Sequence, residues 1–111
     1  MRKTLNIALF FLLFWIVAFS GAVIHEYGHV VTILTCGGEV QEAGIWPGVI
    51  IYPKLDWWWE GWDGRIAWYG ADLPEEPWQA GLCDLMGSGA TTIVGYLILL
   101  GIFIFRPIRW R

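Results

Sequence analysis

Two long stretches of this chain carry no charged residue, and they constrain its fold more than any other feature of the sequence. The first covers residues 5–24 and the second residues 85–105. Each holds about the 20 apolar residues that a helix needs to cross a bilayer. The sequence therefore predicts a mainly α membrane protein with two transmembrane helices, over residues 4–35 and 85–105, joined by a central region of residues 36–84.

The composition agrees with a small integral membrane protein. The chain has 111 residues, of which 57% are hydrophobic and 15% charged, whereas soluble domains average about 25% charged residues. This length allows a single domain, residues 1–111. The formal net charge of −3 excludes a nucleic-acid-binding surface. We expect a multi-pass protein of the cell membrane.

The first predicted helix is longer than a bilayer requires. A continuous helix over residues 4–35 would extend roughly 48 Å, against a hydrocarbon core of about 30 Å, so it must tilt, kink or protrude. A secretory signal peptide is the alternative, with Arg2 and Lys3 as its basic start and Ala18-Phe19-Ser20 as its cleavage site. The apolar character continues past Ser20, which favours the helix.

The first apolar segment contains His25-Glu26-Tyr27-Gly28-His29, which has the H-E-x-x-H pattern of zinc hydrolases. Residues four apart lie on one face of a helix, so His25 and His29 can bind one metal ion with Glu26 beside it. The pattern also occurs by chance on soluble helices. Within a membrane span, however, ionisable groups cost roughly 2 to 3 kcal/mol each and are functional by default. We therefore predict Zn2+ bound by His25 and His29, with Glu26 as general base.

Basic residues lie near both ends of the chain, and acidic residues lie between them. Residues 36–84 contain nine Asp or Glu and only two basic residues. By the positive-inside rule, both termini are cytoplasmic and the central region faces outward. An outward region could close with a disulfide between Cys36 and Cys83, whereas a cytosolic one would keep thiols. With only two cysteines, we expect unpaired structural residues.

The central region has the pattern of short strands and turns. Gly37-Gly38 ends the first helix, and residues 39–52 hold Val, Ile and Trp broken by glycine and proline. Tryptophan favours the headgroup layer because its ring is apolar and its N–H is polar. We expect an interfacial region with short β-strands, with an aromatic core or a carbohydrate-stacking surface as the alternative. Six tryptophans cluster within 22 residues: Trp57, Trp58, Trp59, Trp62, Trp68 and Trp78.

The H-E-x-x-H motif on an apolar helix, followed by Gly37-Gly38-Glu39-Val40, resembles the site-2 protease family of intramembrane zinc metalloproteases. The resemblance implies a zinc metalloendopeptidase whose metal end faces the cytosol, opposite to the orientation that the charge distribution predicts. The family also has a Gly-x-x-x-small motif on a later helix. Here Gly87, Thr91 and Gly95 recur every four residues and would contact substrate or pack against another helix. Thr91 is bulkier than the usual small partner.

The resemblance further implies a third zinc ligand, the aspartate of an Asp-Gly pair on a later helix. Only six residues follow Phe105 in this sequence, and Asp63-Gly64 precedes the second span. Asp84 lies just before that span and is the preferred internal candidate, with helix capping as its alternative role. Otherwise the chain is a fragment of a longer protease, or a second copy or a partner chain completes the site.

These observations predict an intramembrane zinc metalloprotease whose partners are the bilayer and a transmembrane protein substrate. A helical substrate hides its peptide bonds and must unwind, and residues 39–52 could then pair with it by strand addition. The alternative is a non-catalytic membrane module that binds metal or a partner, which the small size and incomplete ligand set favour. A prenyl-protein protease would need a later helix with a glutamate ligand, which this sequence does not contain.

Overall fold

The computed structural model describes residues 1–57 and 66–106. It is mainly helical, with two long helices and a small antiparallel sheet, as the sequence predicts. Trp58, Trp59, Trp62 and the Asp63-Gly64 pair lie outside the described residues. The elements in chain order are α1 (Arg2–Thr35), β1 (Glu39–Ile45), β2 (Val49–Tyr52), β3 (Asp56–Trp57), β4 (Ala67–Asp72) and α2 (Pro77–Phe105).

Both helices are long and apolar enough to cross a membrane. The large apolar side chains of α1 from Leu5 to Val17 are 46–69% exposed, and those of α2 from Tyr96 to Phe105 are 53–83% exposed. Helices that are apolar on every face belong in an apolar environment, either a large core or a membrane. These two surfaces are not covered by any described part of this small chain.

The helix α2 begins at Pro77, eight residues before the predicted start at Leu85. Proline fits the first turn of a helix because its missing N–H has no partner there. The prediction stopped at Asp84 because that carboxylate ends the apolar run, yet a helix can continue beyond its apolar part. Glu76 is the N-cap residue, so the alternative role of Asp84 as a helix cap is wrong.

The four strands form one antiparallel sheet in the order β3-β2-β1-β4. The strand β1 is central, because Ile45 pairs with Val49 of β2 and with Ala67 of β4. The tight connection between β1 and β2 includes Gly48, whose φ of +133° suits glycine alone. The structure thus confirms short strands in the central region, and it leaves β4 at one edge of the sheet.

One face of the sheet packs on the second half of α1. The buried cluster joins Val30 of α1 to Ala43, Ile45 and Ile51 of the sheet. The phenol of Tyr27 donates a hydrogen bond to the carbonyl oxygen of Ile51. Burying a large apolar side chain, such as Ile45 or Ile51 of this cluster, contributes roughly 1.5–3 kcal/mol to the stability of the fold. The sheet therefore anchors the part of α1 that carries the H-E-x-x-H motif.

The sheet also reaches back along α1 towards the N-terminus of the chain. Trp46, which follows β1, stacks on Trp15 with ring centroids 6.0 Å apart and lies 5.9 Å from the Phe19 ring. Trp15 lies in the middle of the uncharged stretch at residues 5–24. The connection between β1 and β2 therefore lies beside the apolar part of α1.

The two helices run antiparallel and approach each other closely at Gly28. A Cβ atom on Gly28 would clash with the carbonyl oxygen of Met86 and lie 2.7 Å from the Cβ of Ala90. Small residues at such positions allow two helix backbones to come near each other. The glycine inside the H-E-x-x-H motif therefore sets the distance between α1 and α2.

Alanine at Gly28 should destabilise the fold, whereas alanine at Gly21 should not. In a helix, alanine is more favourable than glycine by about 1 kcal/mol. At Gly21 the added Cβ has no neighbour within 4 Å, so nothing opposes this gain. Overpacking at Gly28 should instead lower the free energy of unfolding by about 1–3 kcal/mol. Thermal unfolding in detergent, followed by circular dichroism, measures both variants, and equal effects would contradict the close helix contact.

Candidate metal centre

The three polar residues of the motif lie together where α1 faces α2. His25, Glu26 and His29 each offer a ligand atom, and these atoms all lie within 4.8 Å of one another. Within residues 1–57 and 66–106, no other group of three or more His, Cys, Asp or Glu is so placed. This group could hold a metal ion.

The two imidazoles present the same nitrogen to the same point. Their Nε2 atoms are 3.2 Å apart. Two nitrogens bound to one tetrahedral zinc at about 2.0–2.1 Å would lie roughly 3.3 Å apart. The spacing of the two nitrogens therefore fits two ligands of one ion.

A backbone carbonyl fixes the orientation of His29. The Nδ1 atom of His29 lies 2.7 Å from the carbonyl oxygen of Cys83 in α2. A carbonyl oxygen can only accept, so Nδ1 carries a proton, and in the neutral imidazole this leaves the lone pair on Nε2. Histidines that bind metals usually donate their second ring N–H in this way, which fixes both the tautomer and the ring orientation. The contact thus leaves Nε2 of His29 as the ring nitrogen that can bind a metal ion.

Tyr69 of β4 packs against the His29 ring. The two rings stack with centroids 4.7 Å apart and planes inclined by 30°. The Tyr69 hydroxyl donates a hydrogen bond of 3.2 Å to Oδ1 of Asp84. Burial, followed by the hydrogen bond to Asp84 and its charge, raises the pKa of the Tyr69 phenol, so it stays a donor at neutral pH. Tyr69 therefore connects the sheet, His29 and α2.

The predicted third ligand, Asp84, is a neighbour of the site rather than a member of the group. Its carboxylate accepts the Tyr69 hydrogen bond and is exposed. It is not among the ligand atoms that lie within 4.8 Å of one another. In this arrangement Asp84 holds the tyrosine that stacks on His29.

Glu26 is the most unusual polar residue of the site. It is only 4% exposed, and within the described part of the chain its Oε2 atom has no hydrogen-bond partner. Burying a charged group without a partner is costly, so such groups are usually paired or bound to a metal. The unsatisfied oxygen, next to two convergent histidines, is the pattern expected where a cation and its water are to be bound.

Gly87 of α2 keeps the space in front of the two histidines open. A Cβ on Gly87 would clash with Nε2 of His29 and lie 2.6 Å from Nε2 of His25. Any side chain here would occupy the position that a shared metal ion needs. Gly87, predicted as a substrate contact, thus borders the metal position itself.

The other two residues of the predicted substrate face are Thr91 and Gly95. The Thr91 hydroxyl donates to the carbonyl oxygens of Gly87 and Ser88 in its own helix. A Cβ on Gly95 would meet no atom within 4 Å. Substrate contact by these two residues stays a prediction.

Two contributors to the site were not predicted from the sequence. The carbonyl of Cys83 belongs to the backbone, so no residue type marks it. Tyr69 lies among aromatic residues that the sequence analysis assigned to the membrane interface. Only the pairing of β4 with β1, which places Tyr69 opposite Ala43, brings the tyrosine against α1.

Comparisons with known proteins return no match for this chain. No family model, no curated protein and no solved structure is similar to it. The resemblance to site-2 proteases therefore rests on the motif and the short stretch after α1. A function has to be argued from the chemistry of His25, Glu26, His29 and their surroundings.

Alanine at Gly87 should weaken metal binding, whereas alanine at Gly95 should leave it unchanged. The added methyl group at Gly87 would occupy the space beside both Nε2 atoms, and the one at Gly95 would face open space. We expect zinc affinity to fall by at least about 10-fold in Gly87→Ala. Competition with a chromogenic zinc chelator in detergent measures the affinity, and unchanged binding in Gly87→Ala would place the metal elsewhere.

Substitutions at Tyr69 should separate its stacking from its hydrogen bond. Tyr69→Leu removes the ring that supports His29, and we expect zinc affinity to fall by about 10-fold, as for other residues that orient a metal ligand. Tyr69→Phe keeps the ring and loses only the bond to Asp84, so its effect should be smaller. The same chelator competition tests this order, and a larger loss in Tyr69→Phe would contradict it.

Proposed function

We propose that this chain is a site-2-protease-like zinc metalloendopeptidase that cleaves membrane-spanning or membrane-associated segments of other proteins. One observation carries the proposal. His25 and His29 direct their Nε2 atoms to a shared point beside the buried Glu26, and Gly87 leaves that point free. This arrangement lies on a helix long and apolar enough to cross a membrane.

The proposal places both helices across a bilayer. Its support is the uncovered apolar surface of α1 from Leu5 to Val17 and of α2 from Tyr96 to Phe105. Exposed apolar patches of this extent are rare on soluble monomers. A bilayer about 30 Å thick spans roughly 20 helical residues, so a span that begins at Leu5 reaches Ile24. The histidines then lie at the edge of the hydrocarbon core, on the side of the sheet.

In this proposal, each residue of the site has a separate task. His25 and His29 would hold the zinc ion through Nε2, and the Cys83 carbonyl and Tyr69 keep the His29 ring in position. Zinc, when bound, would supply Lewis-acid activation of a peptide carbonyl and of water near neutral pH. Glu26 accepts a proton from the attacking water and delivers it to the leaving amine.

Zinc in a hydrolytic site has three protein ligands, and His25 and His29 supply two of them. Asp84 stays the internal candidate, because its carboxylate is one hydrogen bond away from the ring that stacks on His29. To bind the ion it would have to release Tyr69. A further segment of a longer protein, or a second copy of this chain, is the alternative source of the ligand.

The strand that a substrate could join is β4 rather than the predicted stretch of residues 39–52. Within the predicted stretch of residues 39–52, β1 already pairs with β2 on one side and with β4 on the other, and β2 also pairs with β3, so these strands lie inside the described sheet. Among the described strands, β3 and β4 lie at the two edges of the sheet, and only β4 carries a residue stacked on His29, Tyr69. An unwound substrate that pairs with β4 by strand addition would lie close to the histidines.

A metal-binding module without catalysis is the second candidate. The described group consists of two histidines and one glutamate. If Glu26 binds the ion as the third ligand, no general base remains beside it. The chain would then bind metal, and either stabilise its own fold or present a surface to a partner.

The variant Glu26→Gln distinguishes the protease from the module. As a general base, Glu26 contributes to cleavage but little to metal binding, so Glu26→Gln should keep about one zinc per chain and lose turnover. As a ligand, it should lose zinc affinity when replaced. The measurements are zinc content of the detergent-purified chain and cleavage of transmembrane peptides in liposomes.

Two controls belong to this experiment. His25→Ala and His29→Ala should each lose both zinc and cleavage. A Glu26→Gln chain that still cleaves would rule out Glu26 as the base, and a wild-type chain that binds zinc but cleaves none of the peptides would favour the module.

A further inference from the structure

The two cysteines of the chain, at positions 36 and 83, interact with each other in the structure. Cys36 follows the last residue of α1, and Cys83 lies in α2. Both are free thiols here, and they are near enough to interact with each other. We propose that Cys36 and Cys83 form a disulfide that ties the end of α1 to α2, and that the sheet-bearing end of the molecule faces an oxidising compartment.

The helix geometry explains why these two thiols meet. Cys36 follows His29 by seven residues, which is two helical turns and the same face of α1. His29 already contacts the Cys83 carbonyl across the helix pair. Side chains on a helix lean towards its N-terminus, and in the antiparallel α2 that direction leads to the end of α1. The Cys83 thiol therefore leans towards Cys36.

The unequal burial of the two thiols fits the order of events in disulfide exchange. Cys36 is half-buried, whereas Cys83 is fully buried. The Cys36 thiolate can attack a disulfide-bearing oxidant, such as a thiol–disulfide oxidoreductase, and release one oxidant thiol. Cys83 then attacks the Cys36 sulfur of the mixed disulfide and releases the second. The two cysteines lose two electrons and two protons, and the oxidant gains both as two thiols.

The charge distribution independently points to the same side of a membrane. Residues 36–84 carry nine acidic and two basic residues, and basic residues lie just outside the uncharged stretches 5–24 and 85–105 at both ends of the chain. The positive-inside rule therefore places the sheet outside the cytosol, where disulfides form and persist. This assignment of sides rests on the proposed membrane spans and on the charge distribution, and it is opposite to the orientation that the resemblance to site-2 proteases implies. The disulfide itself does not rest on the proposed proteolysis.

Mass spectrometry of the full chain tests the disulfide. The chain is purified from membranes in detergent, denatured in SDS with N-ethylmaleimide before any reductant, and weighed intact. We expect no adduct and a mass lower by two hydrogens, then two adducts after reduction. The control Cys36→Ser should carry one adduct without reduction. Two adducts on the unreduced wild type, or a disulfide-linked dimer, would overturn the proposal.

Thermal unfolding gives a second readout that does not depend on zinc or proteolysis. Reductant should lower the midpoint of wild-type unfolding, because it releases the tie between α1 and α2. It should leave Cys36→Ser unchanged, since that variant has no disulfide to lose. An equal response of both proteins, or no response of either, would count against the disulfide even if the chain proves to be a protease.

Labelling with a membrane-impermeant maleimide tests the side of the membrane. Reporter cysteines replace two exposed residues, Glu75 beside the sheet and Thr4 near the start of α1. In right-side-out vesicles, Glu75→Cys should be labelled directly and Thr4→Cys only after permeabilisation. The wild type, whose cysteines would be paired, should stay unlabelled. The reverse pattern, or labelling of both reporters, would overturn the orientation.

Discussion

The close approach of α1 and α2 is the constraint on which the rest of this structure depends. It is possible because Gly28 on one helix and Gly87 on the other have no side chain. At Gly28 the absent Cβ lets the helix backbones come together, and at Gly87 it leaves room beside two imidazoles. A helix pair held further apart would lose the contact between His29 and the Cys83 carbonyl. The same two glycines thus determine both the packing of the helices and the geometry of the candidate metal centre.

The sheet also holds the candidate metal centre in place. It packs on the second half of α1 through a small buried cluster, and it stacks Tyr69 on the His29 ring. The His29 ring is therefore fixed by three different parts of the chain. Glu26, in contrast, has a buried oxygen that no described residue satisfies. A histidine held in one orientation beside an unsatisfied buried carboxylate is an arrangement that could bind a metal ion.

Much of this arrangement follows from local sequence patterns, and the rest depends on long-range contacts. Uncharged apolar runs predict the two helices, and the spacing of His25 and His29 predicts that they share a face, because both effects act within a few residues. The start of α2 was misplaced because Asp84 ends the apolar run without ending the helix. Tyr69 and the Cys83 carbonyl could not be found in this way, since their roles arise only when β4 pairs with β1 and α2 packs on α1. For the same reason, the sequence offered a Cys36–Cys83 disulfide only as one possibility and could not establish that the two residues interact.

The contact between His29 and Cys83 also has a consequence for how the protein is made. The two residues are 54 positions apart, so during synthesis the histidines leave the ribosome well before the carbonyl and the glycine that complete their surroundings. The candidate metal centre is therefore complete only after α2 has been made and has docked on α1. A nascent chain that stalls between the two helices would carry the full H-E-x-x-H motif and still lack the α2 residues that surround it.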